Sequence, residues 1–220
     1  MKKAMFNDRY VLTQAMIEGR KTITRRIEGG AQFQEMAQCA DQIFYNEDTG
    51  LIDFMYEGID IFNHKPRYKV GEIVAVAQSY FKVRNFIVGE DFDLNLCDAY
   101  EIDDVSDVVD LAGWNNKMFV RADLMPHQIR ITSVRCERLQ DISDEDCMKE
   151  GLFINEYTYH NEKRVHYGYD GFLNGKEGWF AKGWFNTPRE AFASLIDKVS
   201  GRDTWKRNPW VFVYEFELVK

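Results

Sequence analysis

Residues 8–18 form an amphipathic stretch that stops at Gly19 and turns at once into residues favouring an extended chain. Leu12, Ala15 and Met16 give the stretch one apolar face, and Asn7 or Asp8 can cap it, so the pattern predicts a helix over 8–18. Gly19 suits the position after a helix, where a left-handed backbone costs glycine little. Thr22, Ile23, Thr24 and Ile27 then predict a strand over 21–27. A helix joined to a strand by one glycine is a rigid corner, and Arg20, Lys21, Arg25 and Arg26 sit on or beside it. Strand alternation sends Thr22 and Thr24 to one face and Ile23 and Arg25 to the other. An amine, a hydroxyl and several guanidinium groups in so small a space suit a phosphate, a carboxylate or a polarised carbonyl. The plainer alternative is a set of solvated cations at the negative end of a helix dipole.

Charge supports a local site. The net charge of −8 argues against a protein that coats nucleic acid indiscriminately. Residues 1–30, however, hold seven Lys/Arg against three acids, so a +4 segment stands against −12 in the remainder. A basic site on an acidic body suits one nucleotide or a short single strand. Cys39, Cys97, Cys136 and Cys147 show no C-x-x-C pair, and the four histidines show no metal-binding spacing, so neither a metal site nor a cofactor is expected. With no apolar run of about 18 residues and no signal peptide, the chain reads as a cytoplasmic protein without a membrane partner.

Along the chain, residues 42–45 and 51–56 flank a turn and predict a hairpin. Strands are expected over 72–78, 80–88, 117–122, 127–138 and 209–219. Residues 89–115, rich in acids, read as a surface excursion, and 152–186 as a hairpin plus loop. Ser143, followed by three acids, starts a short helix ending at Gly151. Thr187-Pro188-Arg189-Glu190 starts a longer one that Gly201 ends. Mixed strands and helices without a linker or a repeat predict one α+β domain over 1–220. Trp205 and Trp210 are expected to pack. Among Tyr80, Phe81, Trp179, Phe180, Trp184 and Phe185, near loops, one or two are candidates to stack on a base.

Four blocks carry a family resemblance. They are Gly-Arg-Lys-Thr-Ile-Thr-Arg-Arg-Ile at 19–27, Lys-Val-Gly-Glu-Ile-Val-Ala-Val at 69–76, the run from Arg130 through Ser143 to Glu150-Gly151, and Trp205 with Asn208-Pro209-Trp210-Val211 and Glu215-Phe216. In this order they resemble the ASCH domain family, a branch of the PUA-like β-barrels, and most of all its longer phage and prophage members. The resemblance implies a PUA-like mixed β-barrel with three to four flanking helices and insertions at about 31–65, 89–115 and 152–186. It implies a nucleic-acid or nucleotide binding cleft lined by Arg20, Thr22, Arg25, Arg26, Gln78 and His127, with RNA, single-stranded nucleic acid or a nucleoside as ligand. Some small members of the family are amidohydrolases of acetylated cytidine. Carried onto this chain, their catalytic residues become Lys21, Thr24 and Glu150, as base, nucleophile and acid. A third expectation is a phage-associated module that binds a protein partner. Two departures affect substrate range: Gln78 stands where the phage-type members usually carry a glutamate, and His127-Gln128 stands in place of an Arg-Trp pair.

Overall fold

The computed structural model describes residues 1–89, 91–169 and 184–219. In chain order it runs β1 (Lys3–Ala4), α1 (Leu12–Ile17), β2 (Ile23–Arg26), α2 (Gly30–Cys39), β3 (Gln42–Asn46), β4 (Leu51–Tyr56) and β5 (Ile59–His64). It continues through β6 (Ile73–Val76), α3 (Tyr80–Val83), α4 (Asp91–Tyr100), β7 (Gln128–Arg138) and α5 (Asp144–Lys149). The last elements are β8 (Phe153–Tyr159), β9 (Glu162–Gly168), α6 (Pro188–Ser200), α7 (Thr204–Arg207) and β10 (Trp210–Leu218). The class is mixed α+β. Among the described residues the strand ladders stay open and none closes into a barrel. No helix among them is long and apolar enough to cross a membrane.

Contacts gather the chain into two compact units. One comprises Met1–Phe6, Ile73–Arg130 and Leu218–Lys220; the other comprises Asn7–Glu72 and Ile131–Glu217. In the first unit β1 lies parallel to β6, Lys3 facing Ala75, and β6 is antiparallel to the start of β7, Val74 facing Ile129. Its core is Tyr80, Val83, Phe92, Leu96, Val108 and Trp114 with Ala75 and Ala77 beneath them. In the second unit β2 is antiparallel to β10, with Thr24 facing Tyr214 and Arg25 facing Val213. Phe33 of α2 packs its ring 5.3 Å from Phe54 and 4.8 Å from Phe212. The β8–β9 hairpin turns through His160 and Asn161, both at positive φ, the geometry that matches strand twist in a two-residue loop.

Several sequence expectations are met. The helix starts at Ser143 and Thr187 are real: Ser143 Oγ accepts from Asp146 N–H at 3.1 Å and Thr187 Oγ1 from Glu190 N–H at 3.2 Å. Trp205 packs 6.1 Å from Phe192, and Arg138 lies 4.8 Å above the Trp210 ring. Trp179 and Phe180 fall outside the described residues.

Other expectations need correction. The first helix is broken: Asp8–Tyr10 is a 3-10 turn and Val11 is left-handed at φ 56°, so α1 begins only at Leu12. Residues 80–88 form α3 and a π-helical turn, not a strand, because Ser79 caps the segment and Tyr80 is buried inside the unit. Residues 117–122 form turns, since the Asn116 side chain accepts from Met118 N–H at 3.0 Å and competes with a ladder. Residues 89–115 are no surface excursion: α4 turns Phe92 and Leu96 into the core despite its acids. The hairpin at 42–56 gains a third strand, β5, through a tight turn at Glu57 and Gly58, both at positive φ. The described residues hold seven α-helical segments rather than three to four, the additional ones being α2, α3, α4 and α7.

The α4 correction has a direct test. Leu96→Ala is expected to cost about 2–5 kcal/mol in urea-monitored unfolding, as a buried leucine does. Leu94→Ala, on the exposed face of the same helix, is expected to change stability by less than about 0.5 kcal/mol.

Candidate functional site

The corner at Gly19 forms as its sequence predicts. Gly19 is left-handed at φ 75° and its N–H reaches Met16 O at 3.0 Å. Lys21 N–H then donates to Ala15 O at 2.9 Å, folding the chain back over the end of α1. From far along the chain α5 ends beside it. Lys21 and Glu150 form an isolated antiparallel bridge, and Thr22 N–H donates to Lys149 O at 2.9 Å. Gly151 makes this approach feasible. It sits at φ 94°, and a Cβ there would lie 3.1 Å from Ala15 Cβ and 3.2 Å from Lys21 Cβ.

The bridge brings two charges together out of water. Lys21 is 2% exposed and Glu150 3%. Lys21 Nζ donates to the Glu150 carboxylate in a short contact, to Ile23 O at 2.8 Å and to Glu150 O at 3.2 Å, which gives each ammonium hydrogen an acceptor. Arg25 holds the other carboxylate oxygen of Glu150 at 3.2 Å, Glu137 at 2.9 Å and Asp146 at 2.7 Å. Arg135 extends the lattice, donating to Glu137 at 3.0 Å, to Asp146 at 2.6 Å and, in a short contact, to Glu215. The Phe192 ring stands 5.9 Å from the Arg25 guanidinium. Lys149 Nζ also lies 3.7 Å from Asp146, so four cations face four carboxylates in one connected network.

Proton affinities follow from this geometry. Burial pulls Lys21 below the usual lysine value, and the neighbouring Glu150 carboxylate only partly opposes it. Burial also disfavours the Arg25 charge, but Glu150, Glu137 and Asp146 outweigh it and hold the guanidinium above its ordinary value. Burial would raise Asp146, yet the hydrogen bond and charge of Arg25, with Arg135, hold it below its ordinary 3.8. Burial pushes the nearby Cys147 thiol up to about 12, so it is no nucleophile at neutral pH.

The expected site residues therefore divide. Lys21, Glu150 and Arg25 come together. Thr24 does not join them: alternation turns it to the other face of β2, half-buried, and its hydroxyl makes no hydrogen bond among the described residues. Thr22 is also half-buried. Arg20 is tied to Glu18 at 2.7 Å and reaches Gly151 O at 3.3 Å. Arg26 faces Phe212 across the ladder. Gln78 and His127 belong to the first unit, where His127 Nδ1 and Gln78 Oε1 lie 2.9 Å apart and burial holds the imidazole below its ordinary value. Sequence reasoning missed Arg135, Glu137, Asp146 and Glu215 as members of the site. The Arg135-x-Glu137 pair on one strand was the available signal, since residues two apart share a face. No group of three or more His, Cys, Asp or Glu suited to a metal occurs among the described residues.

Comparison with protein-family models, curated proteins and solved structures returned no match. The resemblance to ASCH proteins therefore remains one of sequence blocks alone.

Removing Glu150 strands the buried lysine. Glu150→Leu leaves the Lys21 ammonium without its carboxylate in a dry site and is expected to lower unfolding free energy by about 3–5 kcal/mol, read by chemical denaturation. Asp146 sets an acid dependence. Its folded value lies below 3.8, so its contribution is complete above that pH and is lost as pH falls through the folded value. The stability of the native chain should therefore drop below about pH 4, and Asp146→Asn should show a shallower fall over that range.

Proposed function

We propose that this chain is a nucleoside- or nucleic-acid-binding protein of the ASCH, PUA-like kind, with β2 as its ligand-binding strand. The observation that carries this reading is the meeting of Lys21 and Glu150, 129 positions apart, because it joins the two blocks that the resemblance assigns to one site. In this reading the β2–β10 ladder corresponds to the site-bearing strands of the PUA-like fold, although no ladder among the described residues closes into a barrel. Charge refines the expected ligand. A cleft for a polyanion needs cations with free N–H groups, but Lys21 and Arg25 are buried and committed to carboxylates. A network whose four cations are matched by four acids offers a phosphate backbone no net attraction and tolerates a neutral, polar base or nucleoside.

Amide hydrolysis is the second reading, and it is favoured by the lowered proton affinity of Lys21 beside a carboxylate. There the Thr24 oxygen would attack the acyl carbon as its proton passes to a neutral Lys21. The carbon–nitrogen bond would break as Glu150 protonated the leaving amine, and water would later free the acyl-threonine. Lys21 must first give its own proton to Glu150. That transfer would take from Arg25 one of the carboxylate charges it faces, at 3.2 Å, and Thr24 has no hydrogen bond to Lys21. Binding is therefore the stronger reading.

The test combines titration with nucleosides and short RNA and DNA oligomers at two salt concentrations with mass spectrometry of acylated nucleosides. Binding is expected to change little with salt, and an Arg20→Ala, Arg26→Ala variant should retain most of it. A steep salt dependence lost in that variant would restore the basic cleft instead. Release of free nucleoside by the native chain and not by Lys21→Ala would establish hydrolysis. No binding by any of these ligands would end the reading.

A further inference from the structure

The other face of β2 carries polar groups that the ion network leaves alone. Thr24 faces Tyr214 across the ladder, and the Tyr214 hydroxyl donates to Glu28 Oε2 at 2.8 Å while accepting from Arg67 N–H at 3.0 Å. The second carboxylate oxygen of Glu28, Oε1, is shielded from solvent and has no hydrogen-bond partner among the described residues. Burial and the adjacent Glu28 charge push the Tyr214 phenol well above its ordinary value, so it remains a donor and fixes which oxygen is engaged. His64 also senses Glu28. Burial nevertheless holds its imidazole below 6.5, neutral at pH 7, so it adds no cation to satisfy the carboxylate. An aromatic cluster stands beside these groups: the His64 ring lies 5.2 Å from Phe33 and 5.5 Å from Phe212, and Tyr68 lies 5.2 Å from Tyr214.

A carboxylate oxygen held away from water without a donor is costly, and the cost is relieved by any partner that brings an N–H. We propose that Glu28 and Thr24 recognise the hydrogen-bonding edge of a nucleobase, Glu28 Oε1 accepting a ring or amino N–H and the Thr24 hydroxyl donating to a neighbouring ring carbonyl or nitrogen. This rests on the nucleoside reading above and deepens it by naming the base edge as the recognised group. Tyr214 is a positioning residue that orients Glu28. The assignment also gives Thr24 a partner on its own face of the strand, away from Lys21. The ligand class is a base with an N–H donor beside an acceptor; a second anion is repelled by the same carboxylate.

Calorimetric titration of the full chain with cytidine, guanosine and 3-methyluridine tests this, because the last has no N–H on its pairing edge. Cytidine and guanosine are expected to bind at least about tenfold more tightly, the scale of one charge-assisted hydrogen bond. Glu28→Gln, which keeps an acceptor for Tyr214, should shrink that preference to less than about threefold, with thermal unfolding reporting that the variant is folded. Equal binding of all three nucleosides by the native chain overturns the proposal while leaving the nucleoside reading intact, and needs no variant. Selectivity unchanged in folded Glu28→Gln removes Glu28 from recognition. Failure of every nucleoside to bind overturns both readings.

Discussion

A lysine ammonium buried away from water demands a carboxylate, and here the carboxylate arrives from 129 residues further along the chain. Desolvating both charges costs several kcal/mol per ion, so the arrangement holds only if geometry and further hydrogen bonds are good. Both conditions are met. The ammonium has three acceptors, and the second oxygen of Glu150 is taken by Arg25. Because Arg25 also binds Glu137 on β7 and Asp146 on α5, one guanidinium ties β7 and α5 to β2. The Gly19 corner and the end of α5 are thereby locked in one register.

That lock changes the meaning of the basic run at 20–26. Seen as a string of letters it is a cationic patch. In the fold its two inward cations, Lys21 and Arg25, neutralise buried acids, and what reaches the surface is much less positive. The same network explains why Glu150 stands at the end of α5, where the helix dipole disfavours an acid. Two neighbouring cations outweigh that small penalty. β2 consequently has two chemically different faces. One is a closed lattice of ion pairs; the other carries a hydroxyl, a phenol and a carboxylate against aromatic rings.

Local signals were legible where a short stretch decides the outcome. Gly19, Ser143, Thr187-Pro188 and the strand at 209–219 each act through neighbours within a few residues, and each appears as expected. Segments that failed were those in which burial overrode composition. Acids along α4 suggested exposure, but an amphipathic helix needs only Phe92 and Leu96 on one side to dock. β-Favouring residues after Ser79 suggested a strand, but a capped turn that buries Tyr80 is stabilised more by packing than propensity can oppose.

The amino-acid sequence alone determined the helix-to-strand corner and the α+β class, because turn chemistry and periodicity are properties of contiguous residues, whereas the meeting of position 21 with the end of the 144–149 helix was only implied by the family resemblance. Tertiary structure decided which cations are spent. Only in the fold do Glu137, Asp146 and Glu215 converge on Arg25 and Arg135, and only there does alternation separate Thr24 from Lys21. The physical reason is that the energy of a charge depends on its solvent exposure and its partners within a few ångströms, and neither is written in the order of the residues.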